Sequence, residues 1–455
     1  MSQSSAPIDA AWAWSPYVPS AERPWTRRLA AHLYRRAGFS ASLEELDEAV
    51  RIGPAAAIEK LFHPKTDERY DEEIRSLART SLAGGNPKAL EPWWLYRMLT
   101  TPDPLREKTT LFWHGHFATS AEKVTDPELM AEQNELLRRH ALGKFGPLAQ
   151  EISRDPAMLI YLDSATNRKQ HPNENYAREI MELFCLGEGE YSERDIRELA
   201  RCFTGWEIKR GKFRFNKYQH DTGSKSILGE SGDFGGEQGV EIVLKQQACP
   251  EFLVRKLMRF FLFDEPAPSA ELIAPLAAEL RSGDLETGPV IAKMLGSNLF
   301  FSPQAIGRKV RSPVELGIGM LRALRGTTNL EALGQGLARI GQEVFHPPNV
   351  KGWDGGRTWI NSSTLLGRAN LVRRLLDSDK TRFGGATLED LTSRMALRTP
   401  QEIVRGWSDL LLAVDLPPTV AAQVAAKIEA GEGNREQRLR DALHLFSTLP
   451  EFQLA

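Results

Sequence analysis

Cysteine is scarce in this chain: Cys185, Cys202 and Cys249 are the only ones in 455 residues, an odd number with no CxxC spacing. A disulfide framework is therefore excluded, and buried free thiols are expected. Charge of one sign is not in excess either. Lysine and arginine together number 58, aspartate and glutamate 60, for a formal net charge of −2. The chain as a whole has no electrostatic pull toward nucleic acid or an anionic membrane. The short basic steps Arg138-Arg139 and Arg373-Arg374 read as solvated helix faces, so nucleic acid is not an expected partner. Long hydrophobic runs are missing: no 18 apolar residues stand together, and no membrane span is expected. The N-terminal segment lacks a charged stretch followed by an apolar one, which reads as a cytoplasmic protein, with export alongside a partner as the alternative. H-E-x-x-H, paired Glu-x-x-His, G-x-S-x-G and P-loop motifs are also absent, and the glycines of 229–236 do not link a strand to a helix. The common hydrolase, kinase and dehydrogenase solutions are thereby set aside.

What the sequence does carry is helix punctuation. The spacing predicts a helix over 24–37 closed by Gly38, and Ser42 with Glu45 forms a capping box before a helix over 43–51. Asp103-Pro104 and Asp126-Pro127 each pair an N-cap with a proline whose φ suits the first helical turn. Ser192 with Asp195, and Ser312-Pro313-Val314-Glu315, repeat the pattern. A mainly α, multi-helical bundle is the expected fold. Its exception is 206–244, where WEIKRGKFRF alternates as a hairpin turning at Arg210-Gly211 before a glycine-rich stretch. The organisation expected is an extension over 1–24, a helical half over 25–205, this insertion, and a second helical half over 245–455.

Four stretches could carry chemistry. In HPNENYAREIMELFCLG, Asn173 caps a helix whose Glu174, Asn175, Arg178, Glu179 and Glu182 fall within an arc of about 140° at 3.6 residues per turn. The i, i+4, i+8 spacing of Glu174, Arg178 and Glu182 equally fits a surface ion-pair ladder. Arg168 and Lys169, in the loop before it, are the nearest bases. In LFWHGHFATS, His114 and His116 could share a metal only if Gly115 ends the helix; otherwise they read as structural histidines. His220-Asp221 lies in the glycine-rich loop and is suited to proton transfer or ligation. In FHPPNVKGWDGGRTWINSSTLLGR, prolines and glycines build a stiff loop between Trp353 and Trp359, a structural clasp or a binding lip, and Ser362 or Ser363 caps the next helix.

These motifs, with HLYRRAGF, WWLYRML, SRDPAMLIYLDSATNRK, FTGW and SPVEL, resemble in their order a large bacterial family catalogued as domain of unknown function 1800 (DUF1800). The resemblance runs from about residue 25 to the C-terminus and implies one family unit without an established activity, cofactor or catalytic residue. It further implies a partner encoded by a neighbouring gene, an exported protein that looks like a relative of the sulfatase and alkaline phosphatase fold. Two functional expectations follow. In the first, the protein binds a polar ligand or is a metal-assisted enzyme. Glu179 or Glu182 is then base or metal ligand, Arg178 an anion clamp, and His220 with Asp221 the acid group. Asn173, Glu174, Asn175, Arg168, Trp353 and Trp359 contact the ligand, and His114 and His116 hold a divalent metal. In the second, the chain is a non-catalytic helical scaffold for that partner, its polar motifs being internal networks.

Overall fold

The computed structural model describes residues 8–65 and 67–455; the first seven residues of the expected extension lie outside the described residues. Among the described residues, helices dominate and strands form only three two-stranded antiparallel pairs. The punctuation explains most of the boundaries. The capping boxes at Ser42–Glu45, Ser192–Asp195 and Ser312–Glu315 are all formed, and Pro104 and Pro127 open the helices Pro104–His116 and Pro127–Arg139. Trp206–Lys209 pairs with Lys212–Phe215 through Arg210 and Gly211, both at positive φ. That is the turn geometry whose twist matches a hairpin. A second hairpin, Lys225–Ile227 with Glu230–Gly232, occupies the glycine-rich stretch.

Two caps differ from expectation. Asn173 stands one residue too early to be the N-cap of Asn175–Glu179; its Oδ1 instead accepts the Asn175 N–H at 2.9 Å, an Asx turn leading into the helix. Asn361, not a serine, caps Ser362–Asp377 and exchanges hydrogen bonds with Thr364. The larger surprise is the end of the NENYARE helix. It runs into a π-turn over Ile180–Cys185, where both Leu186 N–H (2.9 Å) and Gly187 N–H (3.1 Å) donate to the Met181 carbonyl. Such a turn inserts one extra residue and redirects the carbonyls at the helix end.

One apolar core extends from Ala13 to Phe452. The short Ala10–Trp14 helix joins it by donating Trp14 Nε1–H to the Leu272 carbonyl at 2.9 Å. The C-terminus is stitched in by Ala455 N–H to Lys309 O (2.8 Å) and Arg311 N–H to Gln453 O (2.9 Å). No helix among the described residues is long and apolar enough to cross a membrane.

Candidate functional site

Where Pro104–His116 meets Ala248–Phe261 and the start of Pro313–Ala323, the core opens into a cavity of about 240 Å³. Helical spacing places the lining. Leu111 with Gly115 and Phe112 with His116 stand one turn apart, as do Lys256 and Phe260, so each helix offers one face. Asp264, Lys309, Ser312, Glu315 and Gln342 close the interior, while Arg259, Lys351 and Asp354 form an exposed rim.

The roof is the loop carrying Trp353 and Trp359, and it is fastened from below. Phe345 has φ +66°, a costly conformation for a bulky side chain, held on both sides. Its N–H donates to His114 Nε2 at 3.0 Å and its carbonyl accepts Ala121 N–H at 2.8 Å. Gly352, at φ +77°, lies so close to the helix that a Cβ there would stand 2.2 Å from the Gly115 carbonyl oxygen. Arg259 donates to the Asp354 carbonyl at 2.7 Å and completes the seam. His114 therefore works as a neutral acceptor. Burial, and then the nearby His346, push its pKa down to about 3, which keeps Nε2 free to hold the loop.

A cluster of buried charge packs beside the cavity and reaches its wall through Lys309, Glu315 and Asp264. Arg36, Lys108, Lys309, Arg311 and Arg368 are all buried, and the carboxylates that face them are Glu315 and Asp264. Lys108 pairs with Glu315 at 2.5 Å and Lys309 with Asp264 at 3.2 Å. Burial pushes the Glu315 carboxyl up, but Lys108 and Lys309 outweigh it and hold the group at about 2. The three arginines donate to neutral acceptors: Arg36 to the carbonyls of Leu262 and Ala305, Arg311 to those of Leu454 and Leu411, and Arg368 to Arg311 O and Gln453 Oε1. Carbonyls satisfy N–H groups without cancelling charge. Burial accordingly pulls all three guanidinium groups downward, and Glu315, with Asp264 at Arg36, offsets that desolvation only in part.

The π-turn positions two cavity groups that lack a carboxylate partner. Its redirected carbonyls, Leu183 O and Phe184 O, accept hydrogen bonds from Lys256 Nζ at 3.1 Å and from His116 Nε2 at 3.0 Å. Burial, with help from Arg259, pushes Lys256 down to about 8. His116 must carry its proton on Nε2, and its buried Nδ1 has no hydrogen-bond partner. Burial, then Lys256, holds that imidazole far below its usual range. Behind the turn, Cys185 and Cys249 are buried thiols, and burial pushes Cys185 well up.

The structure brings only some of the expected residues to this place. His116, Trp353 and Trp359 line the cavity, and His114 lies directly behind the roof. Glu179 is half-buried and raised, by burial first and Glu182 second, against Arg178 and Lys351; through Lys351 it senses the rim. The rest of its helix face is an ion-pair surface. Arg178 makes a bidentate pair with Glu193 (both 2.8 Å) and lies 3.7 Å from Glu174, and Glu182 accepts Tyr191 Oη–H at 3.0 Å. Asn173 and Asn175 donate to Asp163 O and Leu162 O and so fix the loop before the helix. Arg168 pairs with Glu207 at 3.3 Å, His220 Nδ1–H donates to Thr204 O at 2.8 Å, and Asp221 pairs with Arg201 at 2.7 Å, all around the hairpin. His114 and His116 sit on one continuous helix with separate partners, and among the described residues no three His, Cys, Asp or Glu side chains gather as a metal site.

Sequence reasoning passed over Lys256, Lys309, Asp264 and Glu315. Glu315 was visible only as a capping-box residue, which it also is: its Oε2 accepts Ser312 N–H at 2.7 Å. The signal that could have found the cluster is charge inside apolar helical runs: Arg36 in HLYRRAGF, Lys256 in FLVRKLMRFF and Arg311 beside SPVEL.

The family model described as "Protein of unknown function (DUF1800)" matches residues 32–454, and the chain belongs to that family. No curated protein and no solved structure matches it.

Proposed function

We propose that the protein binds a small anionic ligand in the cavity beneath the Trp353–Trp359 loop. The observation that supports this is the charge of the lining: Lys256, Arg259, Lys309 and Lys351 outnumber Asp264, Glu315 and Asp354, and Lys256 has only a backbone carbonyl as partner. A buried charge without a counter-charge is costly, and an anion in the cavity relieves that cost while gaining charge-assisted hydrogen bonds. In this reading Lys256 and Lys309 balance the ligand's charge. The volume suits a small metabolite and is below that of most drug-sized sites. A ligand of this kind fits the sulfatase- or phosphatase-like partner implied by the family resemblance, whose chemistry releases inorganic anions.

The scaffold reading has its own support in the Arg178–Glu193 and Arg201–Asp221 pairs, which join neighbouring elements and do not line this cavity. It describes that surface, while the ligand reading describes the cavity.

Titration calorimetry with inorganic phosphate, sulfate, acetate and uncharged glycerol tests the proposal. At least one anion is expected to bind at pH 7, and glycerol is not. Lys256 is charged below its pKa of about 8, so anion affinity is expected to fall as the pH rises past that value. Equal binding of glycerol, or no heat with any anion, would overturn the proposal.

A further inference from the structure

We propose that the hairpin of Trp206–Lys209 and Lys212–Phe215, with the turn Lys217–Gln219 beside it, binds single-stranded nucleic acid. This surface is separate from the cavity, since none of its residues lines it. The balanced net charge and the short Arg-Arg steps elsewhere hide how dense the cations are here. Lys209, Arg210, Lys212 and Lys217 are all exposed, and Lys169 is held alongside by its N–H, which donates to Gln219 O at 2.9 Å. Among the described residues none of them has a carboxylate within ion-pair distance. The hairpin's own carboxylate, Glu207, is taken by Arg168 at 3.3 Å and Arg214 at 2.9 Å. Register sharpens the point. Lys209 stands directly opposite Lys212, a like-charge pair that weakens a ladder. Between them Arg210 takes φ +54°, at a turn position where asparagine, aspartate or glycine is usual. The tip thus gives up stability twice in order to carry cations. Lysines that merely guard an open sheet edge require neither cost.

Two aromatic rings stand beside those charges. Tyr218 is 73% exposed and Phe215 49%, enough surface for an unpaired base to stack on each. Lys217 Nζ lies 5.2 Å from the Tyr218 ring centroid, and His220 meets Phe215 edge-on at 5.2 Å, so both rings have a neighbour that steadies them. Lys212 and Phe215 end the same strand, roughly 10 Å apart. That strand pairs with Trp206–Lys209 alone, and a chain following its edge is within reach of side chains from both faces. Phosphates would meet the cations of the tip, and bases the rings at its foot. An anionic bilayer fits less well. A membrane-facing hairpin buries its aromatic side chains at the lipid interface, whereas this tip carries charge alone and keeps its rings behind it. A duplex offers phosphates but no open base faces, and the rings would go unused.

The test is fluorescence anisotropy of the full chain with labelled oligothymidine and oligouridine of about twelve nucleotides. Duplex DNA of the same length, polyglutamate, and sedimentation with phosphatidylglycerol vesicles serve as the other arms. At least one single-stranded probe is expected to bind, about tenfold or more tighter than the duplex; which of the two binds better tells DNA from RNA. Its affinity should fall with salt at a log–log slope of about −2, the value for roughly three phosphate contacts. Tyr218→Ala is expected to weaken binding about tenfold through lost stacking. Lys209→Gln with Lys212→Gln should flatten the salt slope by about 1. All three side chains are exposed, so these variants leave the core untouched. Lys256→Met should change nothing. Duplex or polyglutamate binding as tightly as the single strands would show a general polyanion patch and overturn the proposal. Vesicle binding without oligonucleotide binding would assign the hairpin to a membrane and overturn it too. So would full affinity in Tyr218→Ala, or a loss in Lys256→Met. Silence of every probe would overturn it and leave the cavity reading standing.

Discussion

Replacing Glu315 with glutamine is expected to lower folding stability by about 3–5 kcal/mol, the usual cost of breaking a buried ion pair from one side. Glutamine keeps the shape and can still accept Ser312 N–H, so the capping box survives in part. What disappears is the charge that Lys108 and Lys309 face, and with it the main compensation for Arg36, Arg311 and Arg368. Urea unfolding should show a lower midpoint with an unchanged slope. The sign of the pH dependence follows from the lowered carboxyl. Glu315 contributes its stability above the ordinary value of 4.5 and loses it as the pH falls toward about 2, so wild type and variant should converge over that window. Adding Lys108→Met is expected to recover part of the loss, because the unpaired ammonium is then gone. A loss below 1 kcal/mol for Glu315→Gln would mean that the cluster is solvated and that its charges have no need of one another.

Lys256→Met is expected to weaken anion binding by roughly 10- to 100-fold, the equivalent of one charged hydrogen bond of 1.5–3 kcal/mol. The side chain keeps its length and its apolar contact with Phe252, over whose ring Nζ lies 5.1 Å from the centroid. Because Lys256 has no carboxylate partner, its removal strands no buried charge, and the thermal midpoint should move little. Arg178→Met makes a useful contrast. Arg178 is paired with Glu193 on the surface, so its loss should leave anion affinity unchanged and cost at most about 1 kcal/mol of stability. If Arg178→Met abolished binding and Lys256→Met did not, the ligand would belong to the NENYARE face instead.

The contrast between those two residues also shows how far the sequence could be read. Local rules reached what is local: Ser42–Glu45 and Ser312–Glu315 cap as expected, and Arg210-Gly211 turns the hairpin. The family resemblance was legible for the same reason, since its motifs are contiguous. The polar arc of Glu174, Arg178 and Glu182 attracted a functional reading because its groups are close in sequence, yet that closeness is what an ion-pair ladder requires. The groups of the buried charge cluster beside the cavity are far apart along the chain. Lys108 meets Glu315 across 207 positions and Arg36 meets Ala305 across 269, and no periodicity encodes such pairs. The π-turn was hidden for a different reason. IMELFC has ordinary helix formers, and the shift to i, i+5 bonding becomes visible only once Lys256 and His116 take the carbonyls it redirects.

The most direct measurement is crystallographic. Crystals of the unmodified protein soaked in arsenate, a protonated analogue of phosphate with a strong anomalous signal, would locate bound anions without assumption. The strongest anomalous peak is expected inside the cavity, within hydrogen-bond distance of Lys256 Nζ and Lys309 Nζ and beneath Trp353. An empty cavity, with arsenate only at surface arginines, would contradict the proposal that this cavity is an anion site.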